Sequence, residues 1–203
     1  MGLFDKVSDA LSSGDSSGSD EENESVETGG VFDVPEWAVK DRVNVEKRTG
    51  IVYEHYDVTE EQARTIAQKL KEELESTEGY SQRSVRSPLE DELDIDDELL
   101  ETIVWTEMAS IEMLDRVNTY LDQETGGEVY KISGPDDDRT HPVTEEAIEE
   151  IEDRGGAVPM KELAEILLEK AEKYEGEGGT PERMEHWVPH ERFRFSIVRH
   201  VDF

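Results

Sequence analysis

The chain has 203 residues, enough for one domain with a proper core and an appendage. Its 53 acidic side chains against 21 basic ones give a formal charge of −32, and cysteine is absent. Disulfides, thiolate metal sites and thiol catalysis are thereby excluded, and free duplex nucleic acid is disfavoured as a direct partner, because phosphate contacts need basic clusters. No apolar run reaches the length of a membrane span, and the start lacks the apolar core of a signal peptide and does not match the myristoylation pattern. The expectation is a soluble product made inside a cell, with no membrane partner.

Hydrophobic content is 34% and charged content 36%, a balance that can accompany disorder. Here, however, the acids are interleaved with apolar residues at helical spacing, which predicts folded helices with acidic outer faces. A lysine-poor, acidic surface suits very high salt, where self-repulsion is screened, so a halophilic source is expected.

In chain order, Leu3, Phe4, Val7, Ala10 and Leu11 form a short amphipathic pattern that would be marginal alone. Residues 12–30 are Ser, Gly, Asp and Glu, the composition of a flexible acidic linker. Val43, Val45, Ile51 and Val52 flank Lys47-Arg48-Thr49-Gly50, which suggests a β-hairpin. Thr59 to Gln62 is a capping box, followed by the apolar face Ala63, Ile66, Ala67, Leu70 and Leu74 of a helix ending near Gly79. Residues 79–92 read as a loop or hinge. The longest helix is predicted from Asp96 to Gln123, with a stripe of Leu100, Ile103, Val104, Met108, Ile111, Leu114, Val117 and Leu121; Trp105, Met113 and Tyr120 widen it toward more than one neighbour.

The stretch 126–144 organises the C-terminal half. Gly126-Gly127 stop the long helix, Val129, Tyr130 and Ile132 form a strand, Gly134-Pro135 breaks it, and Asp136 to Asp138 make an acidic loop. Thr144, ahead of Glu145 and Glu146, is expected to cap the next helix. That helix carries Ala147, Ile148 and Ile151 and stops at Gly155-Gly156; another opens at Pro159. A final helical turn starts at Thr180-Pro181. Residues 190–199 alternate polar groups with Phe193, Phe195 and Ile197, a half-buried strand whose partner is expected at Val129 to Ser133. The fold class is therefore α+β, mostly helical, with a small antiparallel sheet in the C-terminal half. The expected division is residues 1–30 as an acidic amino-terminal segment, 31–92 as a helical and hairpin region, and 93–203 as an α+β domain.

The ordered set Thr106-Glu107-Met108-Ala109, Gly134-Pro135-Asp136-Asp137-Asp138-Arg139-Thr140-His141-Pro142-Val143, Gly155-Gly156 to Pro159, and Pro189-His190 with Arg192 and Arg194 resembles the phage head morphogenesis family, the Mu F-like minor head proteins of tailed viruses. The likeness covers residues 95–203. With the acidic composition it implies a tailed virus of haloarchaea. It also implies a non-enzymatic head component without a cofactor, present in multiple copies, bound to the portal and other head proteins, and located in the virion head after assembly in host cytoplasm. Thr106, Glu107, Gly134, Pro135, Asp138, Thr140, Pro189 and His190 carry the motif. Relatives bear cysteines near His141, Phe193 and Phe195 that this chain lacks, so a family zinc site does not transfer.

Two groups could carry chemistry or contacts. Asp138, His141 and His190 could meet as a metal or acid–base cluster; alternatively Asp138 and Thr140 cap a turn while His190 bonds to the loop. Arg192, Arg194 and Arg199 form a basic cluster that could touch an acidic partner or packaged DNA, or could pair internally with the 136–138 loop. On a strand, Arg192 and Arg194 would share one face. Two functional alternatives stand beside the minor head protein: a head–tail connector ring, and a metal-dependent hydrolase using Asp138, His141 and His190.

Overall fold

The stripe from Leu100 to Leu121 becomes helix α5, Asp97–Asp122, and every other element is arranged along it. In the computed structural model the described residues are 34–76, 79–134, 137 and 139–201. The amphipathic pattern at 3–11, the linker 12–30, Pro135, Asp136 and Asp138 lie outside them. Asp96 caps α5 by accepting from the amides of Glu98 and Leu99, placing a carboxylate at the positive helix end.

Two apolar clusters share α5. Leu100, Ile103, Val104, Met108 and Ile111 pack with the helices before it: α2 (Val45–His55), α3 (Glu60–Leu74) and α4 (Gln82–Glu92). Met113, Leu114 and Val117, one to two turns further, pack with the elements after it: β1 (Val129–Ser133), α6 (Pro142–Asp153), α7 (Met160–Lys173) and β2 (Ser196–His200). The short α1 (Glu36–Lys40) crosses back, so Val34, Trp37 and Ala38 pack on this second cluster.

Three expectations are corrected. The expected hairpin around Lys47 to Gly50 is the middle of α2. Asn44 accepts from the Lys47 amide and starts the helix, and Arg48, Thr49, Ile51 and Val52 are buried on it. The β-branched residues favour strands locally, but tertiary burial outweighs a propensity spread of about 1 kcal/mol. Residues 82–92 are likewise a helix, not a loop: Ser81 and Ser84 make reciprocal capping bonds, Val85 and Leu89 are buried one turn apart, and Pro88 is accommodated inside. The capping box of α3 is present as expected, with Thr59 and Gln62 bonded both ways; α3 ends at Leu74 rather than near Gly79.

The sheet is antiparallel, β1 against β2, in the register Val129↔His200 through Ser133↔Ser196. On its other side Tyr130 exchanges backbone bonds with Val158, at 2.7 and 2.9 Å. The fold is α+β and mostly helical, with its small antiparallel sheet in the C-terminal half. The strand in the tail begins at Ser196, later than the alternation suggests, because residues 190–195 are drawn onto α5 instead.

Candidate functional site

Thr106 and Glu107 lie mid-way along α5 where the two apolar clusters meet, and both are fully buried. A carboxylate there demands partners, and it has two. Arg48 from α2 donates Nη1 to Glu107 Oε2 at 2.6 Å, and Arg183, from the 3-10 helix Pro181–His186, donates Nη2 to Oε1 at 2.6 Å. Tyr56 donates its hydroxyl to Oε1 at 3.2 Å and accepts from Arg183 Nη1 at 2.7 Å. Ser110 accepts from Arg48 and donates to the His186 carbonyl. Burial alone would raise the Glu107 carboxyl, but the charges of Arg183 and Arg48 and their hydrogen bonds outweigh it and hold it at about 2.

Two guanidiniums against one carboxylate leave a net positive charge in the interior. Aromatic faces take part of it: Arg48 sits 5.5 Å from the Trp37 ring centre and Arg183 5.5 Å from that of Tyr56. His186 is kept neutral, pushed down to about 4 by burial and by the neighbouring charges of Arg48 and Arg183.

The chain from Pro189 to Arg194 is the second part of the site. Thr106 Oγ1 accepts from the Arg192 amide at 3.0 Å, and Arg192 adopts φ 52°, a left-handed conformation that a bulky residue holds only against some strain. Its side chain reaches along α5, donating Nε to Thr102 Oγ1 at 2.7 Å and Nη2 to the Glu98 carbonyl at 2.9 Å. Arg194 turns the other way and clamps Asp137 through both terminal nitrogens, at 2.6 and 3.1 Å. Hydrogen bonds from Arg194 and Arg139 hold the Asp137 carboxyl well below the usual carboxylate range. Arg199 lies against the rings of both Tyr120 and Tyr130. The three arginines therefore do not share one face: the first points to α5, the second to the loop, the third to the aromatic edge. Pairing of Arg194 with the acidic loop is the internal alternative raised from the sequence. A Cβ on Gly134 would lie 3.0 Å from the Phe195 Cα, a tight approach that disfavours a larger residue.

His141 and His190 do meet, with rings stacked 4.5 Å apart. His141, rather than Thr144, is the N-cap of α6, its Nδ1 accepting from the Val143 amide at 3.2 Å. Its Nε2 then donates to the Glu177 carbonyl at 3.0 Å. His190 donates Nδ1 to the Glu191 carbonyl and accepts from the buried Thr144 hydroxyl at 2.8 Å. The expectation of Thr144 as the cap is corrected for a physical reason. Pro142 already fits the first helical position, which moves the boundary back and frees Thr144 to anchor His190. Asp137 and Thr140 close the intervening turn: the Asp137 carboxylate accepts from the Arg139 amide, and the Asp137 amide donates to Thr140. All four ring nitrogens are thus committed, and the described residues contain no group of three or more metal-ligating side chains.

Burial, with the charge of Arg194 adding to it, pushes His190 down to about 4. The unfolded ring titrates near 6.5, so between those values the unfolded chain binds the extra proton and stability falls as pH falls. His186 acts in the same direction. The expected outcome is a loss on the order of 1–3 kcal/mol per ring between pH 6.5 and 4. Urea unfolding at stepped pH measures it, and His190→Gln should flatten about half of the slope; an unchanged slope would remove His190 from the account.

Sequence reasoning missed Arg48, Tyr56 and Arg183, the partners of Glu107. The available signal was Arg48 set among Val45, Ile51 and Val52, an isolated cation inside an apolar pattern. No protein-family model, curated protein or solved structure matches this chain.

Proposed function

We propose that this chain is a virion assembly protein, a minor head protein of a haloarchaeal tailed virus that acts by binding at the portal and not by catalysis. The observation that carries the reading is that the described motif residues form one internal frame. Thr106 and Glu107 are tied to the chain from Arg183 to Arg192, and His141 and His190 are tied to α6 and its neighbouring loop. Their donors and acceptors serve each other, so the motif acts as a scaffold and its outer surfaces are left for partners. The internal engagement of Arg192 and Arg194 favours contacts to portal and head proteins over contacts to packaged DNA.

Virion incorporation is the test. Deleting residues 1–30 is expected to lower the amount of protein in purified heads, since a tether of this kind raises local concentration at a large assembly. His141→Ala should leave incorporation and infectivity intact, with a stability loss of about 1 kcal/mol. If His141→Ala folds normally and abolishes infectivity while the deletion is silent, the site is chemical and the hydrolase alternative gains. A copy number forming a closed ring would instead favour the connector.

A further inference from the structure

One side of α5 is not covered by the core. A trench runs along it through three adjoining cavities of about 410, 330 and 390 Å³. Its centre has an apolar floor, with Trp105 half-buried beside Met108, Ala109 and Met113 and with Phe195 on the far wall, edged by Gln82, Glu112 and Arg194. Its two ends are lined by Arg83 and Arg86, and by Arg42 and Arg116. The carboxylates there are Glu90, Glu101, Glu112 and Asp115, so the trench is close to neutral in a chain of charge −32. Arg86 is held by Glu90 and Glu101, and Arg42 by Asp115. Arg83 and Arg116 have no ion-pair partner among the described residues, although carboxylates are in excess everywhere else.

We propose that this trench is the docking site of the chain's own amino-terminal segment, residues 3–11, in the free chain before assembly, a state from which the segment is released to act as the tether of the proposed function. Three observations select that occupant. Leu3, Phe4, Val7 and Leu11 recur at helical spacing, so as a helix of about 14 Å they would match the apolar floor from Trp105 to Met113, about 12 Å along α5. Residues 1–33 carry nine acids and one lysine, a charge that complements Arg83 and Arg116, which have no ion-pair partner among the described residues. Finally, Val34 packs on the same cluster as Met113 and Phe195, and residues 12–33 would have a root-mean-square reach of about 25 Å as a free coil. The apolar face drives the docking, because molar salt screens the attraction between charges and leaves apolar burial in place.

The absence of cysteine makes a clean test possible. In the full chain, in molar potassium chloride, Val7→Cys is combined with Ala109→Cys at the trench floor, or with Glu149→Cys on the exposed side of α6 as the reference. The expected result is an intramolecular disulfide in the first pair, formed on the order of tenfold faster than in the reference, since docking raises the effective concentration above that of a free tether. Phe4→Ser added to the first pair should return the rate to the reference value. Equal rates in the two pairs would overturn the proposal, as would disulfide-linked dimers forming in its place, which would seat the segment on a second copy. This result stands apart from the virion experiment, because it reads the trench whether or not the chain enters heads.

Discussion

Replacing Glu107 by alanine is expected to destabilise the domain by about 3–5 kcal/mol, the range for breaking a buried ion pair by removing one partner. The variant leaves two guanidiniums facing each other with no carboxylate, in a place where Arg48 and Glu107 are wholly shielded from water. The surface pairs offer a comparison. Arg64 with Glu60, or Arg154 with Glu150 and Glu162, are solvent-exposed, and each contributes about 0–1 kcal/mol at most. Urea is the suitable denaturant, because guanidinium would itself screen charge. A second variant separates the effect of an orphaned charge from that of lost packing: Arg48→Met, Glu107→Leu and Arg183→Met together should recover much of the loss, as apolar replacement of whole buried ion clusters often does. Should Glu107→Ala cost less than about 1 kcal/mol, the cluster would not be the structural centre of the fold.

The contrast between what the residues disclosed and what they concealed has a physical basis. Helix α5 was legible because its apolar positions recur at three and four over many turns, and its ends carry a capping Asp96 and a stop at Gly126-Gly127, which do take positive φ. The pairing of β1 with the tail was legible because two short alternating stretches each needed a partner for their backbone groups. Helix α2 was not, since Gly50 and the β-branched residues speak locally for a turn and strands, and only the burial of Arg48 against Glu107, 59 positions away, decides otherwise. The same holds for the site. The meeting of His141 and His190 could be anticipated from strand pairing, whereas the roles of Thr144 and Asp137 depend on where α6 begins. Gly179 gave no signal, although a Cβ there would lie 2.3 Å from the Ala171 carbonyl oxygen: the residue is required by a close approach of two chain segments that no local pattern records.

Raising potassium chloride from dilute buffer to molar concentration is expected to raise the melting temperature and sharpen the transition, and the reason lies in where the acids sit. On α6, Glu145, Glu149 and Glu152 follow one another along the solvent face, and on α7 Glu165, Glu169 and Glu172 repeat the spacing. Like charges three or four positions apart are about 5–6 Å from each other and each pair is destabilising by a few tenths of a kcal/mol. Salt also weakens the favourable surface pairs such as Lys173 with Glu146, so the two effects oppose. The excess decides: with 53 acids and 21 bases, 32 carboxylates have no base left to match them one to one. Because the screening length is still about 8 Å at 0.15 M and falls to about 3 Å at 1 M, the gain should continue well into the molar range instead of saturating at low salt. The buried Arg48–Glu107–Arg183 cluster lies beyond the reach of added ions, so its contribution should stay constant across the series. Glu145→Gln, Glu149→Gln and Glu152→Gln combined should stabilise the domain in dilute buffer and reduce the salt dependence, while changing little at high salt. A melting temperature that stays flat or falls as potassium chloride rises would remove the argument for a halophilic source.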